Sequence, residues 1–318
     1  MKLGVCPQAL YHLGFEEALA AARQLGFEAI ELPVDRRSPY INLEEALAGG
    51  WRRIRQAVDT AGLEISALSN HQEGQLLLGP HGIDTDPIQL GTAEEKVAYA
   101  TLRLQQTAAL AEKLEVRVVC SFTGCEDYSR WFPWPLEDGY ERMGPVVRER
   151  LLPVLEYFSR HGVRFAHECH PKQFAYNLET AELLLELLDG HPALGFNLDP
   201  ANLMLAGMNP VVFVAELGER ILHVHAKVGE QVRHHVARSG LLAHGRWDRP
   251  ERGFRFRIPG WGDLNWKQLI SELRLAGYDG VLAVEHEDPV IGPLEGLRKG
   301  LEYLSPLVLR EPQEERWW

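Results

Sequence analysis

The sequence predicts a single (β/α)8 TIM barrel, with long βα loops at its C-terminal face. Three observations carry that reading. Short apolar runs of strand character alternate with amphipathic runs of helix character from end to end. Eight strand-like runs fit within the 318 residues. No Gly-, Ser- or charge-rich linker divides the chain, although its length alone would allow two domains. An open doubly wound sheet is the main rival. It usually carries a phosphate-binding glycine loop after its first strand, and VCPQALYHLG contains no GxGxxG.

The strands are expected at 3–7, 28–34, 64–70, 116–124, 164–170, 193–200, 221–227 and 280–287. Between them, residues 15–26, 92–114, 146–162, 265–277 and 293–304 place apolar side chains at the three-and-four spacing of one helix face. Gly26, Gly62, Gly162 and Gly277 stand between a helix-like run and a strand, where a left-handed residue ends a helix most cheaply. Three connections are long: 71–91, 125–144 and 228–263. Each follows a strand, so in a barrel all three crowd the C-terminal face, where active sites are built. Segment 228–263 is expected to be a lid or an oligomer contact, the latter making a homodimer. The barrel is expected to span 1–310 and the charged stretch EPQEERWW (311–318) to form a tail.

Composition narrows the function. Hydrophobic residues make up 45% and charged residues 25%, ordinary for a globular protein. The formal net charge of −12 argues against general binding to nucleic acid or an anionic membrane. No run of about 18 apolar residues exists to span a bilayer. The N-terminus lacks a basic segment followed by an apolar run, so no signal peptide is expected. Cys6, Cys120, Cys125 and Cys169 form no CxxC pair. Free thiols in a reducing cytoplasm are expected, with a Cys120–Cys125 bridge as the lesser alternative.

Barrel strands are covered on both faces and should read as apolar runs. Four here do not. Alternation puts Ala166, Glu168 and His170 on one face of RFAHECH, and Gly195, Asn197 and Asp199 on one face of ALGFNLDP. It does the same for His223, His225 and Lys227 in ILHVHAK, and for Ala283, Glu285 and Glu287 in GVLAVEHE. The small residues come first, so the polar groups fall near the C-terminal mouth. Buried carboxylates are costly unless paired or bound to a metal. A salt-bridged polar core would explain one such residue better than four at equivalent strand ends. Glu168, Asp199, His225 and Glu285 offer three carboxylates and an imidazole. That set suits one divalent ion, Mn2+ foremost, with Mg2+, Co2+ and Zn2+ also compatible.

FAHECHP, GFNLDPANL, HVHAK, FRFRIPGWGDLNW and GYDGVLAVEHED, in that order, resemble the xylose isomerase-like barrel family of sugar-phosphate isomerases and epimerases. ISALSNHQ and VVCSFTGCEDYSRWFPWP fit it as well, so the resemblance covers nearly the whole chain. It implies that Glu168, Asp199, His225 and Glu285 hold a catalytic divalent metal. It also implies that His71, His170, Lys227 and Asn202 line the substrate pocket. Val228, Asn202 and Phe174 depart from the family, which frequently has Asp, His and Glu there.

A divalent cation that chelates adjacent carbonyl and hydroxyl oxygens acidifies the C–H between them and stabilises an enediolate. Glu168 and Glu285 are expected to move the proton, and Lys227 or His170 to polarise or protonate the oxyanion. Trp131, with Trp134, is a candidate to stack on a sugar face or to anchor its loop. Arg257, with Arg255, is a candidate for a phosphate or carboxylate, against a salt-bridged pair. The expected function is a metal-dependent isomerase or epimerase of a sugar, keto-sugar or cyclitol. A dehydratase or lyase of a keto-sugar or keto-glycoside would use the same residues. An abasic-site endonuclease is disfavoured by the charge, and a non-catalytic sugar-binding subunit by the complete ligand set.

Overall fold

The computed structural model describes residues 1–129 and 139–311. Eight strands form the barrel: β1 (Lys2–Val5), β2 (Ala29–Pro33), β3 (Glu64–Ser69), β4 (Val118–Ser121), β5 (Arg164–Glu168), β6 (Leu194–Leu198), β7 (Ile221–Ala226) and β8 (Val281–Val284). Every neighbouring pair is parallel, and β8 pairs with both β1 and β7, which closes the cylinder. The TIM barrel expected from the alternation is the fold of the chain. Several strands are shorter than the expected runs: β5 ends at Glu168, β6 at Leu198 and β8 at Val284.

The principal helices are α1 (Phe15–Leu25), α2 (Trp51–Ala61), α3 (Ala93–Lys113), α4 (Gly139–Arg160), α5 (Leu178–Leu187), α6 (Pro210–Leu217), α7 (Trp266–Leu275) and α8 (Pro293–Leu304). Thr92 accepts from the Glu95 amide and Glu95 reaches back to the Thr92 amide, a reciprocal cap that starts α3. Gly26 ends α1 with φ at 108°, as its position predicted. Helix α4 reaches back past Pro145, so that proline is inside the helix rather than its start.

Two apolar regions hold the layers. The larger lies between the outward strand faces and the helices, joining Val5, Leu32, Phe165, Phe196 and Val224 to Leu19, Leu104, Leu151, Phe213 and Leu297. The smaller is the plug of the cylinder: Ala67, Val118, Cys120, Ala166 and Leu222. Its narrowness explains the small residues ahead of each rim carboxylate. A Cβ on Gly195 would stand 2.5 Å from the Arg220 carbonyl oxygen and 2.6 Å from Leu222. All four cysteines are buried and free, so Cys120 and Cys125 are not bridged.

Two register irregularities break the regular pleat. Between β2 and β3, Ile30 pairs with Ile65 but Glu31 pairs with Ala67, which leaves Ser66 over. Between β6 and β7, Phe196 pairs with Ile221 but Asn197 pairs with His223. Segment 228–263 is built rather than open. Val228–Gln231 and Phe254–Arg257 pair as an antiparallel ribbon, with a short helix at Arg233–Ser239 between them. Among the described residues, no helix is long and apolar enough to cross a membrane.

Gly195→Ala is expected to destabilise the fold by about 1–3 kcal/mol through overpacking of the plug. A lowered midpoint in urea unfolding, followed by circular dichroism, is the measurement; an unchanged midpoint would show that the plug yields.

Candidate active site

Strands β5 to β8 deliver their functional side chains to one rim. Glu168 is the last residue of β5, His225 is the next-to-last residue of β7, and Asp199 and Glu285 stand one residue beyond β6 and β8. Asp199 is placed by its role as cap of the short helix Pro200–Leu205. Its Oδ1 accepts from the Ala201 amide at 2.9 Å, which leaves Oδ2 for the site. Glu168 is held on both oxygens. Oε1 accepts from Asn202 Nδ2 at 2.8 Å, and Oε2 accepts from Asn197 Nδ2 at 2.7 Å and His71 Nε2 at 3.0 Å. Asn202 Nδ2 also reaches Asp199 Oδ2 at 2.8 Å. Lys227 Nζ stands 3.0 Å from Asp199 Oδ2, 2.8 Å from Glu285 Oε2 and 2.7 Å from Glu287 Oε2.

The electrostatics follow from this crowding. Burial opposes ionisation of Glu168, but the His225 and His71 rings outweigh it and hold the carboxyl well below the usual range. Burial likewise opposes Glu285, and Lys227 with His225 bring it down to about 2. Burial raises Asp199 to about 7, with Lys227 opposing and Glu168 and Glu285 adding to the rise. Burial disfavours the charged forms of His225 and Lys227, yet the surrounding anionic groups push both well above their ordinary values. The rim therefore retains positive charge against the cost of burying it.

The donor set fits a divalent cation. Ligand atoms of Glu168, Asp199 and His225 all lie within 4.8 Å of one another. His225 Nδ1 lies 3.2 Å from Glu168 Oε2 and 3.3 Å from Glu285 Oε2. Among the described residues, His225 Nδ1 is buried without a hydrogen bond, and Glu285 Oε2, opposite it, is held by the Lys227 ion pair rather than by a hydrogen bond. A small cation between these carboxylates would satisfy the ring nitrogen.

A cavity of about 490 Å³ opens above this rim. His71, His170, Asn202, Lys227, Glu168 and Glu285, all singled out from the sequence, line it together with Gln8 and Tyr11. Asn202 also grips two of the carboxylates, a task beyond touching substrate. Phe122, absent from the sequence reading, wedges between His71 and His170 with ring centroids 4.8 and 5.4 Å away. Arg257 is not brought into the cavity. Its Nε donates to Asp288 Oδ2 at 2.7 Å and its Nη1 pairs with Glu230, so the candidate for substrate binding is instead a salt-bridged ribbon residue. Trp131 and Trp134 lie outside the described residues. Glu287, which the alternation placed on one face with Glu285, pairs with Lys227. Glu31 and the Asn197–His223 pair, below the rim, were not assigned roles from sequence; a carboxylate inside the apolar run AIELP was the available signal for Glu31.

Barrel and rim together define a β/α barrel with a candidate cation centre at its C-terminal face. Residues 19–307 match the family model described as xylose isomerase-like TIM barrel, and the chain belongs to that family. It is 29% identical to the uncharacterised protein YfiH of Bacillus subtilis over 97% of this chain and 99% of that protein. It is 27% identical to the inosose dehydratase of Clostridium tetani, a match spanning about half of each, 54% and 53%. Among solved structures, the IOLI protein with a bound zinc atom superposes with a TM-score of 0.69 at 16% identity, covering 97% of this chain and 98% of that one.

Asp199→Asn and Glu285→Gln are each expected to weaken Zn2+ or Mn2+ binding at least about tenfold, the equivalent of ~1.4 kcal/mol. Competition with a chromophoric chelator reads the affinity; wild-type affinity in both variants would show that the rim is not the cation site.

Proposed function

We infer that the protein is a divalent-metal-dependent enzyme that removes a proton beside the carbonyl of a sugar, keto-sugar or cyclitol and returns it, as an isomerase or epimerase. The observation that carries this reading is the convergence of Glu168, Asp199 and Glu285 on His225 Nδ1, a buried ring nitrogen without a hydrogen bond among the described residues. Glu168, Asp199, His225 and Glu285 would hold the cation. A divalent ion bound there supplies Lewis acidity to neighbouring carbonyl and hydroxyl oxygens. The zinc atom in the IOLI structure accords with this assignment.

The chain's own groups divide the remaining work. Glu168 has both oxygens engaged and serves best as a fixed ligand. Glu285 lines the cavity without the network of amide donors that fixes Glu168, and is the carboxylate suited to take the substrate proton. His170 Nδ1 donates to the Pro171 carbonyl at 2.7 Å, so in the neutral ring Nε2 keeps its lone pair. Burial lowers the His170 pKa, which favours that neutral ring. His170 can therefore exchange a proton at Nε2. The Lys227 ammonium, buried at the cavity floor, stabilises the oxyanion that forms on the substrate.

The half-length similarity to inosose dehydratase favours a second reading, in which the same proton abstraction is followed by loss of a hydroxyl as water. Incubation with keto-sugars and inososes in deuterated water separates them. Deuterium at carbon with the formula otherwise conserved marks isomerisation; loss of one water marks elimination. Neither outcome with the metal-loaded protein would overturn both. A chelator should abolish turnover, with Mn2+ or Zn2+ restoring it. His170→Gln is expected to lower kcat by about 10²–10⁴ while leaving metal affinity near wild type; an unchanged kcat would remove His170 from the reaction.

A further inference from the structure

We propose that Glu31 is a positioning residue that holds a proton on His225 Nε2, so that Nδ1 faces the rim carboxylates as a cation ligand. The inference rests on the reading that the rim binds a cation. Glu31 is fully buried inside the barrel on β2, which does not adjoin β7 in the sheet. It reaches across the lumen, and its Oε2 accepts from His225 Nε2 at 2.8 Å. The other ring nitrogen then points at Glu168 and Glu285. Among the described residues no lysine or arginine pairs with Glu31; its ion-pair partners there are His225 and, at 3.6 Å, His223 Nδ1. Its Oε1 has no hydrogen-bond partner among the described residues. A fully buried carboxylate without a fixed cation is costly, and the His225 contact is what it achieves. Ligating histidines generally donate their second ring N–H to a carboxylate or carbonyl, which fixes the tautomer and the plane of the ring.

The backbone supplies an independent observation. The register shift between β2 and β3 falls at Glu31, and such irregularities re-aim side chains near functional sites. Ser66, the residue left over by that shift, hydrogen-bonds His223 Nε2 at 3.2 Å. The second shift falls at Asn197 and His223. Asn197 Oδ1 accepts from His223 Nδ1 at 3.2 Å, which turns the amide so that Nδ2 meets Glu168. Both departures from a regular barrel thus sit under ligands of the rim. Glu31, Cys120, His223 and His225 also lie close enough to form a ligand set of their own. That alternative is disfavoured because Glu31 already occupies His225 Nε2, and Asn197 and Ser66 occupy His223.

The test uses the full chain, Zn2+ as probe and selective 15N-histidine labelling, with His225 assigned from His225→Gln. In the Zn2+-loaded wild type, His225 Nε2 should carry the proton and Nδ1 should show the shift of ligation. Glu31→Gln should still bind one Zn2+ per chain, about 10–100-fold more weakly, with broadened His225 signals. Ligation through Nε2 overturns the proposal, and so does wild-type Zn2+ affinity in a folded Glu31→Gln. Two Zn2+ per wild-type chain, one of them lost in both Glu31→Gln and Cys120→Ala, would make Glu31 a ligand and overturn it as well. Should Glu31→Gln fail to fold, the wild-type nitrogen assignment decides alone. Absence of Zn2+ and Mn2+ binding by the wild type would instead sink the cation site itself.

Discussion

The mouth of this barrel gathers Glu168, Asp199, Glu285 and Glu287, with Glu31 beneath them, around the nitrogen side chains of His71, His225 and Lys227. Charges of one sign packed this closely, away from water, repel strongly and lose hydration. The arrangement persists because each carboxylate meets a donor: an amide, a ring N–H or the ammonium. Burial, reinforced by the neighbouring Glu168 and Glu285, raises the pKa of Asp199 to about 7. A bound divalent ion would answer the same demand for positive charge, and His225 Nδ1 and Glu285 Oε2 face the place where it would sit.

The rest of the architecture serves that balance. Small side chains in the plug leave the lumen just wide enough for a polar layer between it and the rim. Strand ends bring the candidate ligands to one level, and the cap on Pro200–Leu205 holds one oxygen of Asp199 and leaves the other for the site. Phe122 spaces the two cavity histidines. The rim belongs to a layered structure: apolar floor, buried polar struts, then ligands and cavity.

Much of this was legible in the sequence because alternation with period two survives in β5 to β8. Polar residues sharing a face with Ala166, Gly195 or Ala283 had to point into the lumen, and the structure places them there. The lower struts were harder. Glu31 is a single carboxylate in an apolar run, and its partner is 194 residues away across the lumen. The register shifts depend on pairing between strands, which no local pattern records. The ribbon was missed for the same reason: its halves are separated by the short helix and turns of 232–253. Arg257 shows the limit of composition. An arginine near a mouth can face a ligand or an acidic neighbour, and only the positions of Asp288 and Glu230 decide.

Lys227 is the single residue between the end of β7 and the first residue of the ribbon. Its ammonium also lies 4.7 Å from the ring of Phe256, on the returning half of that ribbon. The residue is thus a hinge pin shared by wall and canopy. The placement of the ribbon and the positive charge in the chamber are therefore fixed by one residue of the chain.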